Sequence, residues 1–281
     1  GQLIPEFEKR HPGKKIQLRK LGFNDHHSTL QIEISAGKGA PDVTAVEIGF
    51  VGLLGGGGGF VDLLKPPCNA GIFRTNIVPY AWAQGTVHGK ELVSMPIDIA
   101  PGCIYYRKDV LDRLKIDPAS VKTMEDYFAL GKRVVRDDNG DGKPDQWLVP
   151  NASYIFNMIF YSDTIRYFDA AGKPALDRPL VHLAMRWAKK FRDAGYDAQI
   201  GDWSNEWYAM LREGRLAYFP MGTWLTGHLR DWIAPKEAGK FRVAELPALE
   251  AGKSRMNISW GGSFLAITRQ STTRDLAWEF V

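Results

Sequence analysis

The sequence predicts an α/β protein of two lobes joined by a hinge, and three observations carry that expectation. Helix and strand signals alternate from the first residues onward, as they do where helices pack on sheets. Two strand signals, at residues 91–95 and 103–107, are separated by Pro96-Ile97-Asp98-Ile99-Ala100-Pro101-Gly102, a proline- and glycine-punctuated segment suited to a crossing between lobes. The alternation then resumes and continues to the last residue.

The opening helix is expected over residues 3–11, where Leu3, Ile4 and Phe7 share a face and His11-Pro12-Gly13 stops the turn. A strand follows at residues 15–21, with Ile16 and Leu18 alternating against Gln17 and Arg19. A second helix should start near Asn24 or Asp25, either of which can cap its free amides. Pro41-Asp42 then introduces the β-branched run at residues 43–46. Helix, strand, helix, strand within fifty residues predicts a parallel sheet. Five consecutive glycines, Gly55 to Gly59, cost about 1 kcal/mol each in a helix relative to alanine and read as a flexible loop. They lack the Lys-Ser or Lys-Thr of a phosphate-binding loop.

Beyond the crossing, helices are expected at residues 108–114 and after Thr123, which stands at capping-box spacing from Asp126. The clearest helix covers residues 178–195: Pro179 suits its first turn, Gly195 its end, and Leu180, Leu183, Ala184, Trp187, Ala188 and Phe191 form one apolar stripe. Trp187 is therefore read as structural. A helix at 205–213, a strand at 216–221, a helix after Gly222, strands near 241–246 and 264–267 and a closing helix near Thr272 complete the pattern. The lobes are drawn as residues 1–98 for the first part of lobe I, 102–246 for lobe II, and 256–281 for the return to lobe I.

Composition narrows the function classes. With 44% hydrophobic and 24% charged residues among 281, the chain can bury a core and is not disordered. A net charge of +4 with both signs interspersed lacks the concentrated basic face of a nucleic-acid binder. No stretch approaches the ~18 apolar residues of a membrane helix, and no basic-then-apolar leader opens the sequence. Cys68 and Cys103 form no CxxC pair and read as two separate thiols. The six histidines show no metal-ligand spacing, and neither GxSxG nor HExxH occurs.

Six short segments, in order, resemble the bacterial extracellular solute-binding proteins of family 1, the group that includes maltose-binding protein. They are Ile4-Pro5-Glu6-Phe7-Glu8-Lys9-Arg10-His11-Pro12-Gly13; Ala40-Pro41-Asp42-Val43; Gly59-Phe60-Val61-Asp62-Leu63; Pro96-Ile97-Asp98 leading to Tyr105-Tyr106-Arg107-Lys108-Asp109; Gly214-Arg215-Leu216-Ala217-Tyr218 leading to Met221-Gly222-Thr223-Trp224; and Trp260-Gly261-Gly262-Ser263. The resemblance implies a periplasmic binding protein-like fold, truncated at both ends relative to the family. It further implies a monomeric component of an ABC transporter that captures a carbohydrate between its lobes, closes by rotation near residues 97–102 and 247–259, and delivers the sugar to a membrane permease. The implied setting is periplasmic or extracellular, with a lipid anchor to the membrane.

Sugars offer hydroxyls that need paired donors and acceptors, and C–H faces that pack on aromatic rings, so a sugar site combines planar aromatics with carboxylates, amides and backbone groups. Trp224, at a strand–helix junction, corresponds to a residue that stacks on ligand in the resembling family. Trp260 precedes Gly261 and Gly262, whose lack of side chains lets a ligand approach the backbone. Glu47 lies at the carboxyl end of its strand and Asp98 in the crossing, where ligands of open α/β sheets sit. Tyr154, Phe156 and Asn157 fall where the family places an aromatic from the second lobe. The run Asp137-Asp138-Asn139-Gly140-Asp141-Gly142-Lys143-Pro144-Asp145 matches the first half of a calcium loop through Asp137, Asn139, Asp141 and Asp145, but has Leu148 in place of the twelfth-position glutamate. It reads as a calcium site or as a self-bonded Asx turn. A sugar-active enzyme such as a glycoside hydrolase, or a sugar-sensing adaptor, is the competing reading, since a glycosidase also needs a groove with two carboxylates.

Overall fold

A computed structural model describes residues 3–163, 167–169 and 173–281. The chain forms two compact units, Gly1–Ile99 with Gly261–Val281, and Ala100–Trp260. It passes from one to the other at Ile99–Ala100 and again at Trp260–Gly261. Residues 256–260, expected in the returning part of lobe I, thus belong to the second unit, and the second crossing lies just past the expected 247–259. The cause is local bonding: Met256 and Ile258 are buried in the second unit's core, Gly102 N donates to Ile258 O at 2.9 Å, and Trp260 N donates to Ala100 O at 2.7 Å.

In the first unit, α1 (Leu3–Arg10) buries Phe7, and α2 (Phe23–Ser35) buries His27 and Leu30. The expected cap of α2 by Asn24 or Asp25 does not form; Gly22 stands at the cap in extended conformation without a side-chain bond. Residues 15–21 form no strand. Leu18 and Leu21 are exposed, and the Ile16 backbone N–H donates to the Glu8 carboxylate rather than to a neighbouring strand. Next come β1 (Val43–Glu47), the short turn α3 (Ile48–Phe50), α4 (Pro79–Gln84), β2 (Thr86–Val87), β3 (Glu91–Leu92) and β4 (Met95–Pro96). The glycine run is not a free loop: a helical turn over Val51–Gly55 ends in it. A Cβ on Gly55 would lie 2.6 Å from Val93, and one on Gly59 would lie 2.9 Å from Ile34, so both glycines are packing positions.

The second unit holds β5 (Gly102–Arg107), α5 (Lys108–Arg113), α6 (Met124–Val134), α7 (Ser153–Phe160), α8 (Pro179–Asp193), α9 (Asn205–Glu213), β6 (Tyr218–Gly222), α10 (Leu225–His228) and β7 (Phe241–Ala244). The capping box of α6 is present, with Asp126 N donating to Thr123 Oγ1 at 3.1 Å and Thr123 N to Asp126 Oδ2 at 2.9 Å. α8 buries Val181, Ala184, Trp187 and Phe191, so Trp187 is a core residue. Ser204 caps α9, and Gly214 ends it in the left-handed conformation at φ +73°. The chain then returns to the first unit as β8 (Ser263–Ile267) and α11 (Arg274–Phe280). Among the described residues no helix is long and apolar enough to cross a membrane.

The sheets differ from the expected parallel arrangement. In the first unit the strand order is β1-β8-β4, and β8 runs antiparallel to both neighbours. In the second it is β6-β5-β7, with β5 antiparallel to both. β1 and β4 therefore do run in the same direction, as helix–strand alternation requires, but the strand that arrives late in the sequence separates them. Register sets what meets what: Glu47 pairs with Ser263, Pro96 with Phe264, and Gly102 with Gly222. The carboxyl ends of β1 and β4 thus meet the start of β8, and the end of β6 meets the start of β5.

Candidate functional site

Each unit gathers some of the expected residues at one end of its sheet. In the second unit all five residues of β6 are buried, and the strand delivers Trp224 just past Gly222. The Trp224 indole folds back over that strand end: a Cβ on Gly222 would lie 2.2 Å from Trp224 Nε1 and 2.6 Å from the Trp260 carbonyl oxygen. Only glycine leaves room for this approach. Trp224 Nε1 donates to Trp260 O at 2.8 Å, joining two of the predicted residues through backbone rather than through ring contact.

The rings around this bond form a connected wall. Trp260 packs on Tyr154 at 5.5 Å between centroids and edge-on to Tyr161 at 5.6 Å. Trp224 stacks on Trp203 at 5.5 Å with 19° between the planes, and His228 lies 5.5 Å from Trp224 and 5.7 Å from Trp203. Burial holds the His228 pKa below the usual histidine range, with Asp231 acting the other way. Trp203 was missed in the sequence because no periodicity marks it. It sits at φ +63°, an outlying backbone conformation for a bulky residue, and is 48% exposed. Its loop is tied on both sides: Tyr154 OH donates to Asp202 Oδ1 at 2.5 Å, and Ser204 Oγ donates to Gly201 O at 2.9 Å. Such a conformation persists where the surroundings over-determine it.

Of the three candidates on α7, Tyr154 is 1% exposed and has no face to offer; it braces Trp260 and fixes Asp202 from behind. Loss of water around the Asp202 carboxylate raises its pKa, while the Tyr154 hydroxyl opposes the rise. Phe156 is half-buried and stacks on Phe160 at 5.2 Å, and Asn157, also half-buried, uses its carbonyl to hold Tyr161 N.

In the first unit, register brings Glu47, Asp98 and Gly262 together. Glu47 caps α3, its Oε2 accepting from Gly49 N at 2.7 Å, and Ile48 N donates to Gly262 O at 3.1 Å. Asp98 Oδ1 accepts from Ser263 N at 2.6 Å. Gly261 and Gly262 have φ of +105° and +139°, values that exclude most side chains. Burial raises the Glu47 pKa, the Gly49 amide opposes it, and the Asp98 charge adds to it. The two units thus present different chemistries: ring faces with a few donors in one, and carboxylate acceptors with strained glycine backbone in the other.

The acidic turn is closed on itself. Asp137 accepts from Gly140 N at 2.6 Å and Gly142 N at 2.8 Å, Asn139 Oδ1 from Asp141 N at 2.8 Å, and Asp141 Oδ1 from Lys143 N at 2.9 Å. Asp145 accepts from Asp138 N at 2.8 Å and from Asn139 Nδ2 at 3.0 Å. Leu148 is fully buried, and among the described residues no three His, Cys, Asp or Glu side chains are grouped to hold a metal. Cys68 and Cys103 are free thiols in different units.

A family model described as bacterial extracellular solute-binding protein matches residues 2–281. The chain is 26% identical to an arabinooligosaccharide-binding protein of Bacillus subtilis (strain 168), over 100% of this chain and 64% of that protein. It is 23% identical to a lactose-binding protein of Rhizobium radiobacter, over 98% of this chain and 64% of that one. The chain therefore spans less than two thirds of the length of these relatives. Among solved structures, the ABC transporter associated binding protein of B. animalis subsp. lactis Bl-04, in complex with β-1,6-galactobiose, superposes with a TM-score of 0.79 at 25% identity, covering 100% of this chain and 68% of that one. The galacto-N-biose-/lacto-N-biose I-binding protein of Bifidobacterium longum gives a TM-score of 0.77 at 18% identity over 99% of this chain and 68% of that one, a likeness of fold. With the family model running through both units and both crossings, this chain belongs to the bacterial extracellular solute-binding protein family.

Proposed function

We propose that the protein captures a carbohydrate, an oligosaccharide in particular, for an ABC importer and hands it to the membrane permease without covalent chemistry. The observation that carries this reading is the stacked Trp203–Trp224 pair, with Trp203 half exposed and Trp224 fixed to the Trp260 backbone. Large rigid ring faces beside a few polar groups suit the C–H faces of sugar rings. Trp224, Trp203 and Trp260 supply those faces, and Glu47 and Asp98 supply acceptors for hydroxyls. The relatives that bind arabino-oligosaccharides and galactobiose support an oligosaccharide ligand. In this reading the protein acts as a monomer outside the cytoplasmic membrane, held there by a lipid, and the acidic turn works as an Asx turn without calcium.

Intrinsic tryptophan fluorescence titrated with arabinotriose, β-1,6-galactobiose, lactose and maltotriose tests the reading. A saturable change with at least one sugar is expected, with no release of reducing ends on prolonged incubation. Silence across the panel would overturn sugar capture. Steady reducing-sugar release would move the protein to the glycosidases, whose chemistry needs an acid and a second carboxylate flanking the bond.

A further inference from the structure

Glu47 is held from behind by a histidine. α2 places His27 in the first unit's interior, 4% exposed, with Nδ1 2.8 Å from the carbonyl oxygen of Phe23 and Nε2 3.1 Å from the backbone nitrogen of Glu47. A carbonyl can only accept and an amide N–H can only donate. These two partners therefore fix the ring as the neutral tautomer with its proton on Nδ1. Phe50 stacks on one face at 3.9 Å with 13° between planes, and Phe23 lies tilted at 4.8 Å, so the ring has little freedom to turn.

Glu47 is where β1 ends and α3 begins. Its N–H goes to His27, its carboxylate caps Gly49, and the next amide goes to Gly262. The His27 bond is thus one of the few restraints on the backbone that carries this carboxylate. Resting on the sugar-capture reading above, we propose that His27 is a positioning residue for Glu47, and that protonation of its ring loosens Glu47 and weakens sugar binding in mild acid. The imidazolium would set Nε2–H against Glu47 N–H, donor against donor, and leave a half-buried amide without an acceptor.

Burial depresses the His27 pKa, the Phe23 carbonyl opposes this, and the His26 charge adds to it. The groups facing this arrangement are His26 on the same helix, with its ring 5.0 Å away, Glu47 itself, and Asp98 near the end of β4; the α3 turn brings none. Because the folded pKa lies below the unfolded one, the neutral ring and its bond to Glu47 are intact above about pH 6.5. They are lost as pH falls through the folded value.

The test combines two readouts on the full chain. In an NMR pH titration, the Glu47 amide should move together with the His27 ring. Calorimetric titration with arabinotriose and β-1,6-galactobiose between pH 8 and 5 should give affinity falling on the order of tenfold on the same midpoint, the scale of one buried hydrogen bond lost. His27→Gln puts a non-titrating acceptor near the Nε2 position, so it should keep the pH 8 affinity and abolish the acid limb. His27→Leu should weaken binding at every pH, and His26→Gln should leave the limb in place. An acid limb unchanged in His27→Gln would overturn the proposal by assigning the titration to Glu47. If neither sugar binds at pH 8, sugar capture by these probes is what fails. The Glu47 amide then still decides the positioning role, supporting it if it follows the His27 ring and sinking it if it does not. The same readout on the unaltered protein decides the matter if the His27 variants do not fold.

Discussion

The indole N–H of Trp224 donates to the backbone carbonyl of Trp260, 36 positions later in the chain, at 2.8 Å. A ring anchored through its only donor presents its faces rather than its edge, and faces are what a sugar packs against. Trp224→Ala should weaken sugar binding by about 1 to 3 kcal/mol, the range of an interfacial aromatic anchor, with little change in melting temperature. Trp224→Phe should recover part of that loss, because it restores a ring but not the donor. Equal affinities for all three proteins would remove Trp224 from the site.

Gly222 is the residue on which this arrangement depends most closely. Its missing Cβ leaves space taken by Trp224 Nε1 and by the Trp260 carbonyl, and a backbone carbonyl cannot swing aside as a side chain can. Gly222→Ala should therefore displace the indole and lower sugar affinity at least as much as Trp224→Ala does. Quenching of Trp224 fluorescence by iodide, stronger in the variant than in the parent, would report the displacement; identical quenching and affinity would refute it.

In the acidic turn, both Asp137 oxygens and both Asp145 oxygens already accept bonds from within the turn. Excess chelator should leave the melting temperature unchanged. Asp145→Ala should lower stability by about 1 kcal/mol, the typical net worth of a lost hydrogen bond. A chelator-induced drop in melting temperature that disappears in Asp141→Ala would identify a bound cation instead.

Burial pushes the Cys103 thiol up to about 11, a Tyr105 hydrogen bond opposing the rise. The reactive thiolate is then scarce at ordinary pH. Labelling by iodoacetamide at pH 8 should be slow in the folded protein and should accelerate sharply on denaturation. Fast labelling of Cys103 in the folded state would contradict a raised thiol pKa at this half-buried position beside Tyr105.

Much of the architecture was legible in the sequence because it rests on local signals. The Thr123–Asp126 capping box, the Pro179-led helix and the start of α9 at Asn205 each follow from neighbours in the chain. Strand pairing does not. Nothing near residues 43–47 announces that their partner is residues 263–267, so helix–strand alternation gave the direction of β1 and β4 but not the strand between them. Residues 15–21 alternate properly yet form no strand, because a pattern without a neighbouring ladder gains no hydrogen bonds. The candidate site, as proposed here, divided in the same way. Glu47, Asp98, Trp224 and Trp260 stood at strand ends or crossings and were accessible to that argument. Trp203 and His27 owe their places to a positive-φ loop and to one tertiary hydrogen bond, and Tyr154 proved to be a brace behind the wall.

The late strand β8 occupies the centre of the first unit's sheet although the whole second unit precedes it in the sequence. A polypeptide emerging from the ribosome can complete the uninterrupted 100–260 stretch while the first unit still lacks its middle strand. Until residues 263–267 arrive, β1 and β4 each present an unpaired edge, the kind of surface chaperones shield and aggregates exploit. Completion of the first unit's sheet thus does not follow sequence order: β1 and β4 precede the second unit in the chain, but their shared partner follows it.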